Sequence, residues 1–443
     1  MKSRFSGTFL LLFLLAFAQP LFAKSNPETL ALKAVSENSN EAAPAIAELR
    51  ALGPAGLNTL FQTYAREINE QVANPLLAAT PEWQRLSAAL DAVSQQKDSY
   101  LSGLYWYTDF ALAKTAARAA GKPILSLRLL GKLNEEYSCA NSRFFRTILY
   151  SNAAVSKMLR EDFILYWQSE RPVPRVTIDF GDGRKLERTL TGNSVHYILD
   201  SDGRVIDALP GLYGPGAFMR SLRQVEEASK KPTQRNNDKS VMASLPYPRA
   251  RLNAVNVAWF ADIEKTGGEI PVGLFMLQQD REGTPIAVQA ARFAMTKIVT
   301  EANLLRAVIE APAALETITD QNTWNKIAEL HMADAQLDAR SIALIQRQTQ
   351  KALSANGSDK NRDKTFTALL QRLQQNIALD TVRNEYLLHT KIYGWFLTDQ
   401  SRDANKLNKK VYAELFLTPA SDPWLGLFSP EVYTALEGGG IIR

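Results

Sequence analysis

Between Ile124 and Ala208 short apolar runs alternate with helical stretches, and this alternation limits the fold more than any other feature of the 443 residues. Ile124–Leu130 is short, apolar and preceded by the breaker Gly121-Lys122-Pro123, the pattern of a strand buried on both faces. An alanine-rich helix, Phe110–Ala120, comes before it. Cys139–Leu149 and Ala153–Arg160 read as helices, the second with Ser151-Asn152 as a cap signal. Phe163–Trp167 is a second apolar strand. Gly181-Asp182-Gly183 lies between Val176–Phe180 and Leu186–Leu190, and Asp200-Ser201-Asp202-Gly203 lies between Val195–Leu199 and Val205–Ala208, so each set predicts a hairpin. Pro215-Gly216-Ala217-Phe218 opens a closing helix. The order helix, strand, helix, helix, strand, hairpin, hairpin, helix predicts a central mixed sheet flanked by helices.

The flanks read differently. Residues 24–98 are helical in pattern. Ile46, Leu49 and Leu52 share a stripe, Gly53-Pro54 breaks it, and Leu57, Leu60, Phe61 and Tyr64 resume it. This resembles one helix pair of an α-solenoid, but no copy recurs at a fixed period. Pro81-Glu82-Trp83 starts a further helix through Leu86, Leu90 and Val93. Residues 227–245 are polar and read as a linker. The remainder, 246–443, is mainly helical, with helices expected over 286–311, 325–334, 341–355, 364–376, 380–395 and 406–415.

Lys2 and Arg4, the apolar run Phe9–Ala18 and Leu21-Phe22-Ala23 form the pattern of an export signal over residues 1–23, with cleavage expected after Ala23. The run is short for a membrane span, and no later stretch suits one. A periplasmic or secreted location follows as the expectation. The formal net charge of +5 is small against 51 basic and 46 acidic residues, so nothing requires a nucleic-acid partner.

With one cysteine, Cys139, the chain forms no internal disulfide. Cys139 is placed at the start of a helix, where unpaired N–H groups and the helix dipole favour thiolate over thiol. Arg143, four positions on, adds to this, and Glu135 and Glu136 oppose it.

The stretch GKPILSLRLLGKLNEEYSCANSRFFRTILYSNAAVSKMLREDFILYW resembles the first half of an exported thioredoxin-like family, and TGNSVHYILDSDGRVIDALPGLYGPGAFMRSL resembles its second half. The resemblance implies an α/β thioredoxin-like domain over 99–226, between mainly α-helical N- and C-terminal regions. It also implies thiol–disulfide chemistry at Cys139. Two positions depart from the family. Ser142 stands where the resolving cysteine of C-x-x-C would be, so Cys139 could perform only the first half of an exchange and would need another thiol for release. Ser194 stands at the position of the family's cis-proline. The hairpin around Gly181 is an insertion relative to a minimal thioredoxin.

Other candidates have plainer readings beside the functional ones. His196 lies in an alternating apolar strand near Ser194, either as a core residue or as a partner for Cys139. His196, His331 and His389 have no zinc spacing. Asp200-x-Asp202-Gly203 lacks the later ligands of a calcium loop and reads as a turn. Tyr105, Trp106, Tyr107 and Phe110 are expected to pack on the sheet, with a peptide-binding surface as the alternative. The expected activity is monothiol exchange or redox sensing by Cys139, with Arg143 and Ser142 in support. The partners would then be thiol or disulfide clients, or a low-molecular-weight thiol, without a cofactor. The alternative is a non-enzymatic protein-interaction module on a degenerate thioredoxin scaffold. A hydrolase ranks third, for want of a Ser–His–Asp set.

Overall fold

The computed structural model describes residues 26–190, 192–230, 246–268, 321–355, 362–399, 402–425 and 441. The signal-like segment, most of the linker stretch and the helix expected over 286–311 lie outside them.

The N-terminal region is five helices: α1 (Pro27–Ala34), α2 (Ser39–Ala51), α3 (Pro54–Thr63), α4 (Ala65–Ala73) and α5 (Pro81–Ser94). Asn26, Asn38 and Thr80 cap α1, α2 and α5 through side-chain oxygens, satisfying donors that a helix start leaves unpaired. Leu30, Leu49, Leu57, Leu60, Trp83, Leu86, Leu90 and Val93 form a separate apolar core. Gly56 lets α3 cross α2 closely, since a Cβ there would lie 2.0 Å from the Leu49 carbonyl oxygen.

The sheet contains β1 (Trp106–Tyr107), β2 (Ile124–Leu130), β3 (Ile164–Arg171), β6 (Val195–Leu199) and β7 (Val205–Pro210), in the order β1-β3-β2-β6-β7. β3 runs parallel to β1 and β2, while β6 and β7 are antiparallel additions. The hairpin β4 (Arg175–Asp179) and β5 (Lys185–Thr189) forms its own two-stranded sheet. Trp106, expected to pack on the sheet, is part of its edge strand, too short to show a period in sequence.

Side chains alternate across the sheet. One face carries Leu125, Leu127, Leu165, Trp167, His196, Ile198 and Leu209 by register. On this side the His196 ring meets Phe145 and Phe218, the latter from α9 (Pro215–Lys230). Helices α7 (Ala140–Phe144) and α8 (Ala153–Asp162) connect β2 to β3, and α9 takes up the first residues of the expected linker. The other face carries Ser126, Arg128, Tyr166, Tyr197 and Ala208. Phe110 of α6 (Phe110–Ala120) meets Tyr166 there. The chain between β3 and β6 brings only the β4–β5 hairpin. The rest of this face is met from far along the sequence, by the helix Ala404–Lys410, where Asn405 accepts from Arg128 and Asn408 accepts from the Tyr197 hydroxyl.

The C-terminal region packs into the same apolar cluster as the sheet, through Trp259, Trp324, Tyr386, Ile392, Tyr393 and Val411. Its helices are α10 (Pro246–Lys265), Gln321–Leu330, Ala339–Ala355, Arg362–Arg383, Thr390–Thr398 and Ala404–Lys410. The helices expected over 364–376 and 380–395 join through a wider turn, Asn384–His389. Arg347 binds Asp98 at 2.5 Å and Tyr100 at 2.6 Å, tying this region back to the N-terminal helices.

Candidate functional site

The residues around Cys139 are positioned by the end of β2 and the loop that follows. Gly131 turns the chain with φ +73°, and a Cβ there would lie 3.2 Å from the Ser138 Cα. Cys139 donates its N–H to the Leu130 carbonyl at 3.1 Å. The intervening loop is held by a fully interior Arg146, whose guanidinium donates to the carbonyls of Leu133, Glu135 and Glu136. Burial pulls the Arg146 pKa down, against the opposing fields of Asp98, Glu136 and Asp91.

Cys139 caps the helix α7 (Ala140–Phe144), which continues into a wide turn, Phe145–Leu149, where a uniform helix was expected. The sulfur has no exposed surface and belongs to the apolar cluster. Its polar neighbour is Ser194, with Sγ and Oγ 3.1 Å apart. Ser142 turns its hydroxyl onto the Cys139 carbonyl at 2.9 Å, closing the first helical turn. Arg143 reaches away to the Thr189 hydroxyl of β5 at 2.9 Å. The three residues singled out in sequence therefore share a turn, but the two polar ones bond elsewhere than the sulfur.

A lid of C-terminal chain lies over the Ser194 loop. Tyr412 donates to the Asn193 carbonyl at 2.9 Å, and the Asn193 amide reaches the Phe416 carbonyl and the Thr418 hydroxyl. Arg171 donates to the Thr418 and Asp422 carbonyls. Val411, Tyr412, Leu415, Phe416 and Leu417 of this segment are buried. At about 1.5–3 kcal/mol for each apolar side chain, lifting it would cost about 10 kcal/mol, as much as a whole domain's stability. The sulfur itself has no exposed surface, so a substrate disulfide would have to displace the side chains packed around it.

His196 does not join Cys139. Its Nε2 lies 2.7 Å from the Tyr150 hydroxyl, between the rings of Phe145 and Phe218. Burial pushes its pKa down to about 3, so the imidazole is neutral at physiological pH. Burial raises the Tyr150 phenol well above its ordinary value, with the nearby Cys139 adding to the effect. His389 pairs with Asp207 of β7 at 2.8 Å, and Tyr247 and Tyr393 donate to the same carboxylate. His331 joins Asp262 and Asp334 in a separate cluster. Among the described residues no group of three or more His, Cys, Asp or Glu could hold a metal ion. No helix among them is long and apolar enough to cross a membrane.

Sequence reasoning missed Arg146, Tyr150, Asn193 and Tyr412. Arg146 sits within an apolar stretch, Phe144-Phe145-Arg146-Thr147-Ile148-Leu149, and that setting was the available signal for a buried cation. Tyr412 had no signal, because its partner lies 219 residues away. Searches of protein-family models, curated proteins and solved structures find no match to this chain.

Proposed function

We propose that this chain is a non-enzymatic protein-interaction module of the cell envelope, built on a degenerate thioredoxin-like scaffold. The observation that carries the reading is the sealed sulfur: Cys139 has no exposed surface, and its polar neighbour is a serine hydroxyl. Exchange needs in-line attack by a thiolate on an accessible disulfide. The covered site offers no such approach, and Ser142 supplies no resolving thiol.

The scaffold half of the proposal draws support from the strand order β1-β3-β2-β6-β7 and from a helix start just after the second strand, opposite the Ser194 loop. The envelope location draws on the residue pattern of positions 1–23. The helices on both sides of the sheet add surface and, on this reading, present it to a protein partner.

Thiol alkylation separates the two readings. In native buffer at pH 8.5, near the pKa of a free thiol, Cys139 is expected to stay unmodified over hours and to react fully once the chain is unfolded in denaturant. Reaction of the native protein at the unfolded rate, or capture of mixed disulfides that vanish with Cys139→Ser, would restore monothiol exchange as the function.

A further inference from the structure

We propose that His331 is a proton-controlled latch between the last helix of the sheet region and the helical C-terminal region. The histidine sits in a cluster drawn from four elements. Its Nε2 lies 2.6 Å from Asp262 Oδ2 on α10, and its Nδ1 lies 3.5 Å from Asp334 Oδ2 on its own turn. Asp334 is gripped by Arg220 of α9 through two bonds of 2.6 and 2.9 Å. Glu385 stands 3.8 Å from the same guanidinium, Lys265 stands 3.4 Å from Asp262, and the Tyr386 hydroxyl donates to Asp262 at 2.6 Å.

The seat is built to hold this arrangement. A Cβ at Gly214 would lie 2.2 Å from the Asp334 carbonyl oxygen, and one at Gly216 would lie 2.9 Å from the Asp334 Cα. The 331–335 turn is therefore pressed onto the start of α9, and His331 is its reach across to α10. The imidazole is 22% exposed, so protons from solvent have access.

The chemistry follows from the count of N–H groups. A protonated imidazole donates from both nitrogens and can serve both carboxylates. A neutral one carries a single N–H, so one of the two carboxylates loses its bond from His331 and keeps only its other partners. The bond that remains is then made by a neutral donor to a carboxylate, and the attraction between two opposite charges is lost. With His331 protonated, three cations (His331, Arg220, Lys265) face three carboxylates (Asp262, Asp334, Glu385). Deprotonation leaves one negative charge in excess. The hydrogen bond to Asp334, with support from Asp262, holds the His331 pKa above its ordinary value against the opposing effect of burial. A histidine whose pKa is raised on folding stabilises the fold fully below the unfolded value near 6.5, and this stabilisation is lost as pH rises through the folded value.

Hydrogen exchange on the full chain tests the latch. The amides of Thr266 and Gly268, which close the end of α10 onto Asp262 and Ile263, are the reporters. After correction for the intrinsic pH dependence of exchange, their protection is expected to drop in a step as pH rises, with a midpoint above 6.5. In His331→Gln the step is expected to vanish. A step that survives in His331→Gln, or no step in the native chain, would overturn the proposal. Should His331→Gln fail to fold, the titration of the His331 ring by NMR in the native chain decides. A midpoint above 6.5 supports the latch, and one at or below 6.5 refutes it.

Discussion

Acidification should reveal His196 as a neutral residue locked inside the sheet. Its pKa falls from 6.5 to about 3 because burial among Phe145, Phe218 and Tyr150 removes the water that would solvate a cation. Between those two pH values the unfolded chain binds a proton at this site that the folded chain does not. Folding stability from His196 is therefore present in full above 6.5 and falls as pH drops, levelling off near 3. The difference of about 3.5 pH units corresponds to about 5 kcal/mol at most, and by pH 4.5 roughly half of it is gone. Replacement by phenylalanine deletes the proton but strands the Tyr150 hydroxyl, at a cost of about 1–3 kcal/mol that does not vary with pH. Urea unfolding of both proteins across pH 7.5 to 4.5 reads the difference directly, since groups common to both cancel. His196→Phe should be the less stable protein at pH 7.5, and the gap should close or reverse near pH 4.5. Parallel curves would refute the argument, because they would mean that His196 titrates alike in the folded and unfolded states.

Two further outcomes follow from packing near the site and the latch. Arg146→Met should cost about 3 kcal/mol or more, because three loop carbonyls lose a charged donor; chemical unfolding measures this, and faster alkylation of Cys139 should accompany it as the loop loosens. Gly214→Ala should lower stability by about 1–3 kcal/mol through overpacking against Asp334, read as a fall in melting temperature.

Much of the sheet was legible because its signals are local. The apolar run Ile124–Leu130 and the turn Asp200–Gly203 mark a strand and a hairpin within a few residues of themselves, and the structure has β2 over the same span and β6 and β7 on either side of the turn. Cys139 at a helix start was legible for the same reason. Its burial was not. Burial at that point comes from residues brought in by the fold, Ser194 from 55 positions away among them, and these leave no trace in the spacing around Cys139. The direction taken by Arg143 was equally hidden, because four residues along a helix fix a common face but not which of two neighbours a long side chain will bond. His331 and Asp334 lie three apart, so their contact was within reach of sequence. Asp262 and Arg220 were not, since they come from other helices.

The helix that brings Asn405 and Asn408 to the Ser126–Tyr197 face sets a clock on biosynthesis. When Pro210 leaves the ribosome every strand of the sheet exists, yet part of that face stays bare for roughly two hundred residues more. At translation speeds of about 5–20 residues per second, the nascent chain carries this unfinished surface for about 10–40 s, long enough to need a chaperone or to remain loose until the helix Ala404–Lys410 is made.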